Sequence, residues 1–260
     1  MDFQQMGKEL DRLFPPAWAE SWDNIGWMVR PSDDVVSGVV VTVDVTSDVI
    51  VHARERGYNT IISHHPLLFE PLEQVRDDRP VDRCVMKAIR DDVGIYAAHT
   101  NADSMPGGLN DRFANRLGLS ETEPIDPSVE DESGGLGRIG NLTQPLTVEE
   151  IADRVRDRFD VHFLRAVGPR DRTVETVGVC TGSGGDFINP SLAERVDLYI
   201  SADLGHHDVL EARGLDLPLL NLDHYEMETI FLPLARELIE ESIERDLSVE
   251  EYRRDDPYWH

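Results

Sequence analysis

The chain has 260 residues, enough for one large domain or two modest lobes that bury a core without disulfides. Its 51 acidic residues face 25 basic ones, a formal charge of −26, which argues against a nucleic-acid binder that works through phosphate contacts. No N-terminal stretch reads as a signal peptide and no apolar run is long enough for a bilayer, so a soluble cytoplasmic protein is expected, without a membrane partner.

Residues 3–14 place Phe3, Met6, Leu10 and Leu13 at helical spacing, stopped by Pro15-Pro16. A loop with Trp22-Asp23-Asn24-Ile25-Gly26-Trp27 follows. The β-branched run Val36 to Val45 predicts a buried strand, and Asp48 to Arg56 a helix closed by Gly57 at its C′ position. Thr60 to Ser63 is a second strand, running straight into His64-His65-Pro66. A helix over about Pro80 to Asp91 is next. The strand Ile95 to Ala98 leads into His99-Thr100-Asn101-Ala102-Asp103, and Gly107-Gly108 turn the chain into a helix ending near Leu117-Gly118.

Residues 120–137, polar and rich in Glu, Asp, Pro, Ser and Gly, read as a linker or excursion. Thr147 to Glu150 looks like the N-cap and first turn of a helix Ile151 to Phe159. Strands are expected at Val174 to Cys180, opening onto the Gly-rich turn Thr181 to Gly185, at Leu198 to Ile200, and at Leu217 to Leu222. A last helix runs from about Tyr225 to Asp246. The alternation predicts an α/β fold of two interlocked lobes, with mostly parallel sheets flanked by helices and functional groups at strand ends. The lobes are placed at 1–122 with 223–260 and at 138–222, joined by 123–137.

Six of the nine histidines fall in four short clusters, His64-His65, His99, His206-His207 and His224, with carboxylates nearby at Asp103, Asp203, Asp208, Asp223 and Glu228. His64-His65 ends a strand, where the backbone can turn both rings to one place; one buried and one exposed histidine is the plainer alternative. His224 and Glu228, four apart at a predicted helix start, share one face. In an extended His99-x-Asn101-x-Asp103 segment, alternate side chains reach one pocket, although Asp103 could equally cap a turn. Together they supply three imidazoles, two carboxylates and, in His99, a possible fourth imidazole, more than the three protein ligands of a typical catalytic zinc site. Mixed N/O donors without thiolate suit Zn, Mn, Fe, Co or Ni, and the donor count fits two ions about 3.5–4 Å apart. The turn Thr181 to Gly185 is a candidate anion nest, though it lacks the Lys and spacing of a Walker A loop.

Only Lys8 and Lys87 are lysines, and acid is spread over the whole chain, which reads as a protein kept soluble in high salt. The densest Arg segment, Arg154 to Arg172, is interrupted by Asp157, Asp160 and Asp171, so nucleic acid is not an expected partner. Cys84 and Cys180 lie far apart, outside any CxxC pattern, and fit buried reduced thiols.

The order of motifs resembles the NIF-three-like dinuclear metal-centre family, whose members are often labelled GTP cyclohydrolase 1 type 2 homologues. The motifs are Trp22-Asp23-Asn24-Ile25-Gly26, Ile62-Ser63-His64-His65-Pro66-Leu67, His99-Thr100-Asn101-Ala102-Asp103, Gly107-Gly108-Leu109-Asn110 with Leu117-Gly118-Leu119, Gly182-Ser183-Gly184, Tyr199 through His207, and His224-Tyr225-x-x-Glu228. The resemblance runs from end to end. It implies that His64, His65, Asp103, His224 and Glu228 are the metal ligands, in a cleft between two lobes of a subunit that forms a hexameric ring. It also implies that His99 lies near the metals, His206-His207 at the pocket wall, and that this is the short form without an inserted domain. Ser201-Ala202 stands where the family usually has Thr-Gly, and Trp27 where Leu or Val is more usual.

The expectation is a metal-dependent hydrolase acting on a nucleotide or related small molecule. Two cations would acidify a water and polarise the bond under attack, with His99 or His206 as acid or base. GTP as substrate is implied by the family label alone, and no residue reads a guanine edge. The alternative is a protein that stores, delivers or senses divalent ions without turnover.

Overall fold

The structure, a computed structural model, describes residues 1–31, 35–128, 131, 133–243 and 247–254. Along the chain run α1 (Phe3–Leu13), β1 (Gly26–Val29), β2 (Val39–Thr42), α2 (Ser47–Arg56), β3 (Thr60–Ser63), α3 (Pro80–Arg90), β4 (Gly94–Ala97), α4 (Thr100–Ser104) and α5 (Leu109–Leu117). Next come β5 (Leu119–Glu123), β6 (Asp126–Pro127), β7 (Gly135–Leu136), β8 (Arg138–Thr147), α6 (Val148–Phe159), β9 (Leu164–Val167) and β10 (Thr173–Ser183). The chain continues through α7 (Pro190–Ala193), β11 (Leu198–Ala202), α8 (His206–Gly214), β12 (Leu219–Leu222), α9 (His224–Glu228), α10 (Phe231–Ser242) and β13 (Val249–Glu251). These pack as two compact units, Met1–Ala102 with the described residues from Phe231 onward, and Asp103–Ile230.

The first unit is built on a sheet of order β1-β4-β3-β2-β13, parallel throughout except for the antiparallel edge strand β1. Strands covered on both faces need apolar residues at every position, and Val39, Val40, Val41, Ile61, Ile62 and Ile95 are all fully buried. Helix α2 starts on the Thr46 side-chain cap and stops at Gly57, whose left-handed backbone (φ 75°) suits glycine. Ile50, Ala53, Cys84, Val85 and Ala88 from α2 and α3 pack with Val40, Ile61 and Ile95 of the sheet.

The second unit carries a sheet of order β5-β8-β10-β11-β12-β9. Its centre, β10-β11-β12, is parallel, and the flanking pairs are antiparallel. The mostly parallel arrangement expected thus describes the first sheet and the middle of the second. The capping box at Thr147 and Glu150 starts α6 as the sequence predicts, and Phe113 of α5 stacks on Phe159 of α6 at 4.0 Å.

Three details differ from the sequence reading. The described part of 120–137 holds the edge strand β5 and the small β6–β7 pair; residues 129, 130 and 132 lie outside the described residues. Helix α5 packs on β5, β8, β10 and α6, and α9 on β10, so the packing boundaries fall at 102/103 and 230/231 where the sequence suggests 122 and 223. The last helix breaks at Thr229-Ile230, because Pro233 has no N–H for an interior turn and is tolerated only in the first turn of a new helix, α10. Residues 244–246 and 255–260 lie outside the described residues. Among the described residues no helix is long and apolar enough to cross a membrane.

Arg138 is the largest fully buried side chain. Its fork holds Asp111 through Nε–H and Nη2–H, and its Nη1 donates to the carbonyls of Gly135 and Gly137 at 2.7 Å each. Removing one partner of such a pair leaves the other charge uncompensated, which costs about 3–5 kcal/mol. Arg138→Leu is expected to lower stability to denaturant by that amount, and a loss under about 1 kcal/mol would refute the role given to the pair.

Candidate metal centre

In the first unit the carboxyl ends of three neighbouring parallel strands deliver the donors, as open α/β sheets do. Asp44 follows β2, His64-His65 follow β3, and His99 follows β4. The backbone amides of His64 and His65 donate to Thr42 O (3.1 Å) and Val43 O (2.9 Å), so the pair is tied to the end of β2. This convergence is what lets two adjacent residues serve one place. His64, His65 and His99 each bring a ring nitrogen within 4.8 Å of the others. His64 is fully buried, and its ring also packs on Phe231 at 5.1 Å.

One hydrogen bond recurs on every ring. His64 Nδ1 lies 2.9 Å from Ala98 O, and since a carbonyl only accepts, Nδ1 carries the proton. His65 Nδ1 meets Asp44 Oδ1 at 2.8 Å, and the other Asp44 oxygen faces Arg254 Nη1 at 3.3 Å. His99 Nδ1 meets Asp23 Oδ1 at 2.9 Å. In the second unit His224 Nδ1 meets Asp203 Oδ2 at 2.7 Å. With Nδ1 donating, Nε2 is left with the lone pair, the arrangement that metal-binding histidines adopt.

The second unit repeats the strand-end logic with β10, β11 and β12. His224 and Glu228 occupy α9 directly after β12, and Asp203 follows β11 in a left-handed backbone (φ 51°), strain that Asp bears better than most residues. His224 Nε2 faces Glu228 Oε1 at 3.0 Å. Because Nδ1 already donates to Asp203, two lone pairs would oppose each other there unless a second proton or a cation lies between them. Both Glu228 and Asp103 are nearly fully buried. Carboxylates are costly to bury without a positive charge, so the donor set fits a divalent ion.

Strand β10 supports both acids. Asp103 Oδ1 accepts from Thr181 Oγ1 at 3.1 Å, and Asn110 joins the two segments by accepting from Thr181 N (2.9 Å) and donating to Asp103 O (3.2 Å). A side chain at Gly182 would place its Cβ 2.5 Å from Glu228 Oε1, so only glycine lets the carboxylate approach, and φ is 70° as well. Burial pushes the Cys180 thiol well above its ordinary range, and the charges of Asp103 and Glu228 push it further.

The structure alters two functional readings. Residues 100–104 form a helical turn, α4, not extended chain, so the alternation invoked for His99, Asn101 and Asp103 does not hold; Asn101 instead donates to Phe14 O at 2.7 Å. The Gly-rich turn is no anion nest: Thr181 N is taken by Asn110 and Gly184 N by Ser201 Oγ (2.9 Å), which itself donates to Gly182 O (2.9 Å). His206 is the first residue of α8 and is exposed, its ring 5.5 Å from that of His207. Sequence reasoning gave no role to Asp23, Asp44 or Asn110, and it took Gly182 for part of an anion nest. Asp23 and Asn110 sat inside quoted motifs and were the findable ones.

A model of the Duf34/NIF3 (NGG1p interacting factor 3) family matches residues 1–257. The chain belongs to this family. Among its relatives, a "GTP cyclohydrolase 1 type 2 homolog" of Streptomyces coelicolor is 36% identical over 91% of this chain and 85% of its own. A protein of the same name from Clostridium perfringens is 31% identical over 92% and 91% of the two chains. The crystal structure of a Bacillus cereus protein related to NIF3 superposes with a TM-score of 0.92, at 23% identity, over 100% of this chain and 99% of that one. The last likeness speaks to the fold alone.

Two outcomes follow from the geometry. Gly182→Ala is expected to displace Glu228 and weaken divalent-metal retention about tenfold or more, read by competition with a chromogenic chelator; unchanged retention would show that Glu228 has slack. The second concerns Asp23, whose side chain is fully buried. Burial by itself would raise its carboxyl, but the hydrogen bonds from His99 and Thr100 outweigh this and hold it down to about 2. A depressed folded value stabilises above the unfolded value, near 4, and that contribution fades as pH falls toward 2. The melting-temperature gap between the native protein and Asp23→Asn should therefore be widest above pH 4 and close toward pH 2; a gap independent of pH would refute it.

Proposed function

We propose that this protein is a metal-dependent hydrolase in which His64, His65, Asp103, His224 and Glu228 hold two divalent ions per chain, drawn from Zn, Mn, Fe, Co or Ni. The observation that carries this reading is the common wiring of His64, His65, His99 and His224, each with Nδ1 committed to a carbonyl or carboxylate, which leaves the lone pair on Nε2. When bound, the ions would acidify a water and polarise the bond under attack.

The chain's own residues supply the remainder. Asp44 and Asp203 hold His65 and His224 in the ligating tautomer. His99, aligned by the buried Asp23, is the acid or base that moves the proton at Nε2, and His206 is a second one. The substrate is a nucleotide or related small molecule, a class supported by the name that the relatives carry.

The same reading takes the assembly as a homohexameric ring, working in a salt-rich cytoplasm and leaving nucleic acid and membrane alone. The acidic surface of −26 with only Lys8 and Lys87 supports the salt-adapted part.

Elemental analysis of the purified protein tests the centre. About two ions per native chain are expected, with His64→Ala and Asp103→Ala each losing at least one. Equal occupancy in native protein and both variants would remove the site. Two retained ions with no hydrolysis of any nucleotide would favour a protein that stores, delivers or senses metal.

A further inference from the structure

Trp22 and Phe69 are among the most exposed large apolar side chains, at 59% and 54%. They are not scattered. Their ring centroids lie 5.9 Å apart, and each is edge-on to His99, at 6.3 Å and 6.4 Å. His99 in turn lies 5.3 Å from His64 and 5.6 Å from His65. The first unit therefore carries an open aromatic ledge that leads directly into its imidazole cluster.

The ledge is held in place rather than loose. Next to Trp22, the buried Asp23 accepts from His99 Nδ1 and from the amide and hydroxyl of Thr100. One residue on, Asn24 donates to Leu68 O beside Phe69, which ties the two loops together. An exposed apolar patch on a fixed backbone marks a binding surface more often than an accident of folding. The two rings are inclined at 56° with centroids 5.9 Å apart, so a flat ligand is not sandwiched between them but stacks on one and meets the other at an angle.

We propose that Trp22 and Phe69 form a stacking platform for the planar heterocycle of the substrate, such as a nucleobase, and so present the rest of that substrate to the imidazoles. This rests on the hydrolase reading only for what happens at the imidazoles. Stacking uses the π face that every base offers and needs no base-edge contacts. The platform should bind purine and pyrimidine nucleotides with little preference among them. It also suits a strongly acidic protein, since stacking does not depend on cationic side chains.

The test measures binding of GMP, AMP, UMP and ribose 5-phosphate to the full metal-loaded chain by calorimetry. All three nucleotides should bind at least about tenfold more tightly than ribose 5-phosphate, with less than about tenfold spread among them. Trp22→Ala with Phe69→Ala should erase that advantage, Trp22→Phe should restore most of it, and bound metal per chain should not change. Nucleotides that bind no better than ribose 5-phosphate to native protein would overturn the proposal, and this arm needs no variant to fold. An advantage that survives the double substitution would overturn it too. Native protein that prefers nucleotides but retains no divalent ion on purification would remove the hydrolase reading and leave the platform standing.

Discussion

The candidate centre depends on one repeated constraint: each imidazole must give its Nδ1 proton away. An unconstrained histidine populates two tautomers and several ring orientations, and presents a lone pair in no fixed direction. Here Ala98 O, Asp44, Asp23 and Asp203 each accept that proton, for His64, His65, His99 and His224 in turn. Three of the four acceptors are carboxylates, which hold the ring more firmly than a neutral acceptor and make Nε2 more electron-rich. The acceptors are placed by the parallel sheets. Asp44 and Asp203 each follow the strand neighbouring the one that carries the histidine they hold.

That arrangement explains why the sequence was legible only in part. The alternation of apolar strand runs with helices is a local signal, as are the caps at Thr46 and Thr147, so the α/β class and most element positions could be read directly. His64, His65, His99, His224, Asp103 and Glu228 stood out as candidates because residues of metal-ligating type cluster near strand ends. Their supports were not visible. Asp44 is an ordinary residue in an apolar run, and it meets His65 only because β2 and β3 pair in register, Thr42 beside Ser63. Pairing between strands is non-local, and spacing along one segment cannot express it.

Two misreadings have the same origin. Residues 99–103 follow a strand and have residues of metal-binding type at alternate positions, which invites an extended reading, but the chain turns at once into α4. Gly182-Ser183-Gly184 looked like a place for an anion, since glycines after a strand often expose amides. The glycine is needed at 182 for a different reason: the Glu228 carboxylate occupies the space a Cβ would fill. A glycine pattern reports close approach without saying what approaches, and here it is the side-chain carboxylate of Glu228 rather than a bound anion.

The charge of −26 and the buried acids answer to different physics. Surface carboxylates remain hydrated, and salt screens them over about 8 Å at physiological strength and about 3 Å at 1 M, so their number says little about a ligand. Asp103 and Glu228 have given up most of their water, and screening hardly reaches them. Asp103 accepts from the Thr181 hydroxyl, and Glu228 faces the His224 ring. A protonated His224 would bring one positive charge to these two carboxylates, whereas a divalent ion would bring two. The same ion would turn the opposed lone pairs of His224 Nε2 and Glu228 Oε1 from a repulsion into a pair of bonds. On this ground burial, tautomer and residue type suit a metal ion, while the composition of the surface does not discriminate.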